Sequence, residues 1–189
     1  MGRKRTIDRD AVLDAVQAVV LRDGASQLTI DAVATEAGIS KASVLYDYKT
    51  KQALIRALID RRIDDYRRRT EEIAAGLGRQ QDAGIRAHIE GARRLLDEDQ
   101  ALATSLCAAM AQDAELRAPV REVFSAAIAD LANASHPRGA LLAFLAVEGL
   151  RHLEWFGFHH WPAAERDRLL DDIAWLAEQD PAPPAAAAS

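Results

Sequence analysis

Apolar side chains recur three and four residues apart along most of the chain, which is the spacing of one helix face. The first such run covers 8–22. Short helices are then predicted over 30–37 and 41–47, and a long one from about residue 50. Further helices are predicted over 82–97, 100–112, 116–133, 138–157 and 163–178. No segment alternates polar and apolar residues as a half-buried strand does. The pattern therefore predicts an all-α fold of about nine helices.

Glycines, capping residues and low-complexity stretches divide this pattern. Gly24 and Gly38 end the first two helices, and Thr29 and Ser40 are suitable N-caps for the second and third. The glycine-rich stretch GLGRQQDAG predicts a break after residue 75. We expect a first domain over 1–60, a second over 61–178 and a disordered tail over 179–189.

Composition and charge narrow the class of protein. Of the 189 residues, 49% are apolar, which is enough for a packed core. With Cys107 as the one cysteine, no intramolecular disulfide forms. There is no apolar leader at the N-terminus and no apolar span of membrane length, so we expect a soluble, cytoplasmic protein without membrane contact.

The net charge of −5 hides an uneven distribution along the chain. Residues 1–62 carry eleven Lys and Arg against eight Asp and Glu, and the remainder carries thirteen against twenty-one. A basic first third on an acidic body confines any attraction for nucleic acid to the N-terminal domain.

The segments 30–37 and 41–47 form a candidate helix-turn-helix. They are two short amphipathic helices joined by a tight turn at Gly38, with the apolar Ile39 placed to fill the angle between them. Such a unit presents the start of its second helix to a major groove. A structural corner of an all-α domain gives the same pattern, so the spacing alone leaves both interpretations open.

Residues 8–59 resemble the DNA-binding domain of the TetR (tetracycline-repressor) family of transcriptional regulators. The resemblance runs through LTIDAVATEAGISKASVLYDYKTKQALIRALI. The resemblance implies a three-helix DNA-binding domain followed by a helical domain for ligand binding and dimerisation. The matching positions are Thr29, Val33, Ala34, Ala37, Gly38, Ile39, Ser40, Tyr46, Lys51 and Leu54.

The resemblance also implies which residues meet double-stranded DNA. Thr29 would offer its hydroxyl to a phosphate, Tyr46 would reach the backbone, and Lys51 would hold a phosphate at the start of the fourth helix. The recognition helix would begin with Ser40, Lys41, Ala42 and Ser43. Arg5, in the cluster Arg3, Lys4 and Arg5, would follow the DNA backbone or enter a minor groove, although a solvated tail explains the cluster equally well.

Two positions depart from the family pattern. Ala42 stands where glycine is common, which brings a methyl group towards the DNA. Asp47 stands where histidine or asparagine is common, and a carboxylate there repels phosphate unless it pairs with Lys49 or Lys51 or points away. Lys49 itself is either a phosphate contact or a solvent-exposed charge.

For the body, the resemblance implies a homodimer and a ligand pocket. The helix 138–157 is apolar nearly all round, so 138–157 and 163–178 are the expected dimer interface, although closing an intramolecular core would explain them too. The effector would be an unidentified, largely apolar small molecule. The candidate pocket residues are Leu102, Leu106, Met110, Phe124, Phe144, His152 and Trp155. Ordinary core packing is the simpler explanation of the first five, and Trp155 would equally suit the dimer interface.

The function predicted from these observations is a ligand-responsive regulator, most simply a repressor released by a small molecule from a pseudo-palindromic operator. An activating role stays open. A helical module of the same fold that acts through protein contacts is the alternative. No nucleophile, paired-carboxylate or phosphate-binding motif suggests an enzyme. His152, His159 and His160 match no common zinc spacing, so we expect neither a metal site nor a cofactor.

Overall fold

The computed structural model describes residues 8–78, 82–94 and 97–181. Within these ranges the chain forms nine α-helices and no strand, which confirms the predicted all-α fold. A 3₁₀ turn at Ala25–Gln27 was not predicted. The helices are α1 Arg9–Asp23, α2 Ile30–Glu36, α3 Lys41–Asp47, α4 Lys51–Gly76, α5 Ala83–Arg93, α6 Asp97–Gln112, α7 Ala114–Leu131, α8 Pro137–Trp155 and α9 Ala163–Ala177.

The helix bounds differ from the predicted ones mainly next to the segments outside the described residues and at turns. α5 ends at Arg93 rather than at residue 97, and α6 begins at Asp97 rather than at residue 100. α4 ends at Gly76, as the glycine-rich stretch indicates, and Gly78 follows with a φ of 80°. Residues 182–189 of the predicted tail lie outside the described residues.

The chain divides into two compact units. The first contains residues 1–65 and 96–123, and the second contains 66–95 and 124–189. α4 belongs to both, since residue 66 lies within it. The predicted domain boundaries at residues 60 and 178 stay predictions.

The core of the first unit is built on the apolar face of α1. Val16, Val19 and Val20 of α1 are fully buried, and α4 adds Leu54 and Leu58. The short helices contribute one fully buried valine each, Val33 from α2 and Val44 from α3. Leu102, Leu106 and Leu116 complete this core.

The core of the second unit lies around α8. Its buried residues include Ala143, Phe144 and Val147 of α8, together with Ile85 and Ile89 of α5. α9 packs against α8 in the opposite direction, because a Cβ at Gly139 near the start of α8 would lie 2.5 Å from the carbonyl oxygen of Leu176 near the end of α9. Of the helices in the described ranges, none combines the length and the apolar character needed to cross a membrane.

Candidate nucleic-acid interface and polar cleft

The turn between α2 and α3 is a complete Schellman motif. Ile39 N–H donates to Ala34 O at 3.0 Å, and Gly38 N–H donates to Thr35 O at 3.2 Å. Gly38 has a φ of 63°, the left-handed conformation that this position requires. Ile39 packs against the core of the first unit, so the turn is anchored from within.

Both short helices begin at the predicted capping residues. Thr29 Oγ1 accepts a hydrogen bond from Ala32 N–H at 3.1 Å, and Ser40 Oγ accepts one from Ser43 N–H at 3.1 Å. The hydroxyls of Ser40 and Ser43 also lie 2.8 Å apart. These bonds fix the first turn of α3, the turn that a helix-turn-helix presents to DNA.

The predicted contact residues of α3 lie at its two ends and are mostly exposed. Ser40, Lys41 and Ala42 are exposed, Ser43 is half-buried, and the side chain of Tyr46 is 72% exposed. Thr29 caps α2, and Lys51 begins α4. Arg3, Lys4 and Arg5 lie outside the described residues. The roles of all these side chains towards DNA stay predictions.

Each lysine of this surface has a contact within the protein. Lys41 Nζ lies 2.7 Å from Asp31 Oδ2, and Lys51 Nζ donates to the carbonyl of Ser26 in the 3₁₀ turn. Lys49 Nζ donates to Tyr46 O at 3.0 Å and lies 5.7 Å from the centre of the Tyr46 ring. An ammonium group has three donors, so each lysine retains donors for a phosphate.

Asp47 pairs with a cation that sequence reasoning did not consider. Its Oδ1 lies 3.1 Å from Nη2 of Arg9, the first residue of α1. Of the three arrangements expected for this carboxylate, neither lysine pair is found, since Lys49 and Lys51 contact backbone carbonyls. No sequence spacing points to the Arg9 pair, because 38 residues separate its members.

The seven candidate pocket residues belong to the cores of both units and to the end of α8. Leu102, Leu106 and Met110 belong to or pack against the core of the first unit. Phe124 and Phe144 lie in the second unit, edge to face with centroids 6.0 Å apart. His152 and Trp155 stand at the end of α8, with ring centroids 5.4 Å apart. Whether any of them contacts a ligand stays a prediction.

A buried polar network in the second unit joins three helices. Tyr66 Oη of α4 lies 2.8 Å from His88 Nδ1 of α5, and His88 Nε2 lies 3.1 Å from Glu148 Oε1 of α8. Arg151 Nη1 donates to the same Glu148 oxygen at 3.1 Å. His88 and Glu148 are 6% and 8% exposed, and the imidazole stacks on Phe144.

The network keeps Glu148 ionised. Burial raises the pKa of this carboxyl, but the neighbouring His88 imidazole and the charge of Arg151 lower it more, so that the pKa lies below its ordinary value. Within the described part of the chain, Glu148 Oε2 and Arg151 Nε are buried without a hydrogen-bond partner. Buried polar atoms in folded proteins are usually hydrogen-bonded, so a donor would suit Glu148 Oε2 and an acceptor would suit Arg151 Nε.

A cleft of about 250 Å³ opens beside this network. Three arginines line it, Arg69 from α4, Arg94 directly after α5 and Arg151 from α8. Tyr66 and Arg151 of the network form part of its wall. Charged and hydroxyl-bearing residues predominate in its lining, in contrast to the mostly apolar residues that the sequence suggested for a pocket. The lining residues are Tyr66, Arg69, Thr70, Glu72, Ile73, Gly91, Arg94 and Arg151.

The sequence contained some indication of this network. His88 falls on the apolar face of α5 with Ile85 and Ile89, and Glu148 interrupts the apolar run of α8. A charged or titratable residue at a core position requires a partner, although the pattern does not say which one. Among the described residues, no group of three His, Cys, Asp or Glu side chains is arranged to hold a metal ion.

We expect Glu148→Gln to lower the free energy of unfolding near pH 7 by about 3–5 kcal/mol, because it leaves a buried Arg151 without its counter-ion. A group with a lowered pKa contributes stability above its ordinary pKa, about 4.5 for this carboxyl, and loses it as the pH falls through the folded-state value. The difference in the free energy of unfolding between the wild type and Glu148→Gln should therefore shrink below about pH 4.5. Urea unfolding at a fixed protein concentration, from pH 7 to about pH 3, measures it.

Glu72→Gln is the matched control, since Glu72 is an exposed carboxylate of α4. It should change the free energy of unfolding by less than about 0.5 kcal/mol over the same range. A difference between wild type and Glu148→Gln that stays constant down to about pH 3 would show that Glu148 contributes nothing to the acid dependence.

Two family descriptions match the chain, one in its N-terminal part and one in its C-terminal part. The family described as "Bacterial regulatory proteins, tetR family" matches residues 12–58, and "Tetracyclin repressor-like, C-terminal domain" matches residues 82–178. No curated protein matches the chain.

Solved structures share the fold at low sequence identity. The transcriptional regulator SCO7518 from Streptomyces coelicolor A3(2) is 19% identical, with a TM-score of 0.70 over 90% of this chain and 98% of that one. A transcriptional regulator from Rhodococcus sp. Rha1 is 19% identical, with a TM-score of 0.71 over 94% and 100%.

A third structure carries a ligand. The multidrug binding protein EbrR, complexed with malachite green, is 20% identical, with a TM-score of 0.70 over 90% of this chain and 98% of that one.

Because the family matches cover the capped helix-turn-helix and more than half of the chain beyond it, the chain belongs to the TetR family of transcriptional regulators, which are DNA-binding proteins and not enzymes.

Proposed function

We propose that the protein is a dimeric repressor that binds a pseudo-palindromic operator and leaves it when a small molecule binds. The observation that carries this proposal is the surface of α3. Hydroxyl and ammonium donors stand around its two ends, while Val44 holds the opposite face in the core. A helix with this division is suited to enter a major groove.

Dimerisation is supported by a second apolar face on α8. One face packs into the core of the second unit, and the other exposes Leu141, Leu142, Leu145 and Leu153. Trp175 of α9 is also 63% exposed. Contiguous exposed apolar side chains usually mark an interface. A twofold axis would pair this stripe with itself and set two recognition helices roughly 34–36 Å apart, one turn of DNA.

Effector binding is supported by the polar cleft. Glu90 accepts from Arg94 Nε at 2.7 Å, and Glu148 accepts from Arg151 Nη1, so Arg94 and Arg151 have carboxylate partners. A guanidinium has five N–H donors, and each retains others for a ligand. The lining therefore favours a small ligand that carries a carboxylate beside an apolar part, rather than a wholly apolar one.

The cleft also suggests how ligand binding would affect the DNA-binding surface. Tyr66 lines the cleft, and it lies on the same continuous helix, α4, that begins at Lys51. A ligand that favours one arrangement of Tyr66 and its network would favour one arrangement of α4. The release would then be a shift in population between two conformations with different affinity for the operator.

We expect the protein to bind DNA from upstream of its own gene more tightly than random duplex of equal length. Lys51→Ala should weaken binding and reduce the salt slope of log K by about one, because it removes one phosphate contact. Gel shifts or anisotropy across salt concentrations measure both. Arg138→Ala, which removes an exposed arginine from α8, is the control and should leave the slope unchanged. Equal affinity for the two duplexes would argue against autoregulation, and an unchanged slope in Lys51→Ala would remove it from the interface.

Leu145→Arg should convert the dimer to a monomer, since it places a charge in the middle of the exposed stripe of α8. The side chain of Leu145 is 53% exposed, so the protomer itself should fold. Analytical ultracentrifugation gives the mass, and circular dichroism checks the fold. Ile128→Arg on α7, at a side chain that is 43% exposed, is the matched control and should stay dimeric. A dimer of Leu145→Arg with wild-type affinity would contradict this interface.

Benzoate should raise the melting temperature of the wild type, whereas benzylamine, which has the same ring but a positive charge, should not. Gly91→Leu should abolish the effect by filling the cleft. Gly91→Ala is the matched control, because a Cβ there meets Ile73 Cδ1 at an ordinary 3.9 Å. Differential scanning fluorimetry measures the wild type and both variants with each of the two ligands. An equal response to benzylamine, or a retained response in Gly91→Leu, would contradict a carboxylate effector in this cleft.

A further inference from the structure

Asp47 presents a difficulty for a DNA-binding surface. It is the last residue of α3, one position after the exposed Tyr46 and four before Lys51, both predicted to reach the DNA backbone. An unpaired carboxylate near phosphates opposes binding, and the repulsion is only partly screened within a Debye length of roughly 8 Å.

The geometry shows how this charge is contained. The Asp47 side chain is 12% exposed, although the residue belongs to a surface helix. It is held between α1 and the end of α3, with its carboxylate 3.1 Å from the Arg9 guanidinium. Arg9 is 73% exposed, so its guanidinium lies on the outer side of the pair.

Other charged groups near this pair are already engaged. Asp8 accepts hydrogen bonds from Asp10 N–H and Ala11 N–H as the N-cap of α1. Arg61 of α4 lies 2.7 Å from Asp14. Among the described residues, Arg9 is the cation seen paired with Asp47.

The pair also ties α1 to the recognition helix. Val44 and Tyr48 fix the backbone around Asp47, since Val44 is fully buried and Tyr48 packs against the core. The ion pair fixes the remaining freedom, which is the direction of the carboxylate.

We propose that Arg9 is a positioning residue for DNA binding, which holds the Asp47 carboxylate against α1 and so keeps its charge away from the operator phosphates. Arg9 acts through Asp47, not by a phosphate contact of its own. The inference rests on the proposed DNA binding. It gives a role to a first-turn residue of α1 that is outside the helix-turn-helix.

A double-mutant cycle of operator affinity tests this role. The probe is the duplex that the wild-type protein enriches most strongly from a random-sequence library. Arg9→Ala should weaken binding about tenfold, because it leaves the carboxylate unpaired near the phosphates. The affinity of Asp47→Asn should stay within about threefold of that of the wild type, because this variant has no carboxylate charge for Arg9 to hold away from the phosphates. In Arg9→Ala/Asp47→Asn the affinity should return to within about threefold of the wild type.

The salt slope and a control variant separate this role from others. The double variant should keep the wild-type salt slope, whereas a direct phosphate contact by Arg9 would cost about one unit of slope. Arg22→Ala is the control: Arg22 also lies on α1 and pairs with Glu36 of α2 at 2.7 Å. It should leave the affinity unchanged. Circular dichroism and melting temperatures should be alike for all variants, since exposed ion pairs add little stability.

Each outcome decides between the two proposals. If the wild-type protein binds the duplex but the double variant does not recover affinity, the role of Arg9 through Asp47 is overturned, while the DNA-binding function stays in place. Recovery of affinity with an unchanged slope supports it. If the wild type enriches no duplex, the proposed repressor function fails, and this inference fails with it.

Discussion

The DNA-reading part of this protein depends on burying two valines. α2 and α3 have seven residues each, and isolated helices of that length do not persist in water. Each carries one fully buried valine, Val33 or Val44, into a core made by α1 and α4. Burying a side chain of this size contributes about 1.5 kcal/mol. Tertiary packing therefore holds the recognition helix, and its outer face is left to polar residues.

The split of α3 into a buried apolar face and an exposed polar face explains where the capping hydrogen bonds and the Arg9 ion pair lie. Thr29 and Ser40 satisfy the first N–H groups of helices too short to do without caps, and Gly38 with Ile39 satisfies the last carbonyls of α2. The Arg9 pair then removes a carboxylate from the same outer face. Each contact either fixes the position of α3 or changes the charge that it presents.

The second unit solves a different problem, a carboxylate inside an apolar core. Burial of Glu148 is unfavourable by itself, and it is tolerated because His88 and Arg151 both face it. Since Tyr66 extends the network to α4, the arrangement of that helix is tied to groups that also border the cleft. A ligand there would act on charged and hydrogen-bonding groups rather than on apolar packing.

The sequence by itself determined the helices, their caps and the position of the helix-turn-helix, because helical periodicity, Thr29, Gly38 and Ser40 act over three or four residues. It also determined that α8 has more apolar surface than one core needs. The partner of Asp47, the network around Glu148 and the polar cleft were decided by the tertiary structure alone. Each brings together residues from separate helices, tens of residues apart in the chain, and which side chains meet depends on how several helices pack. The expected apolar pocket was drawn from residues that fall in two separate cores, since apolar periodicity marks burial but does not say against what.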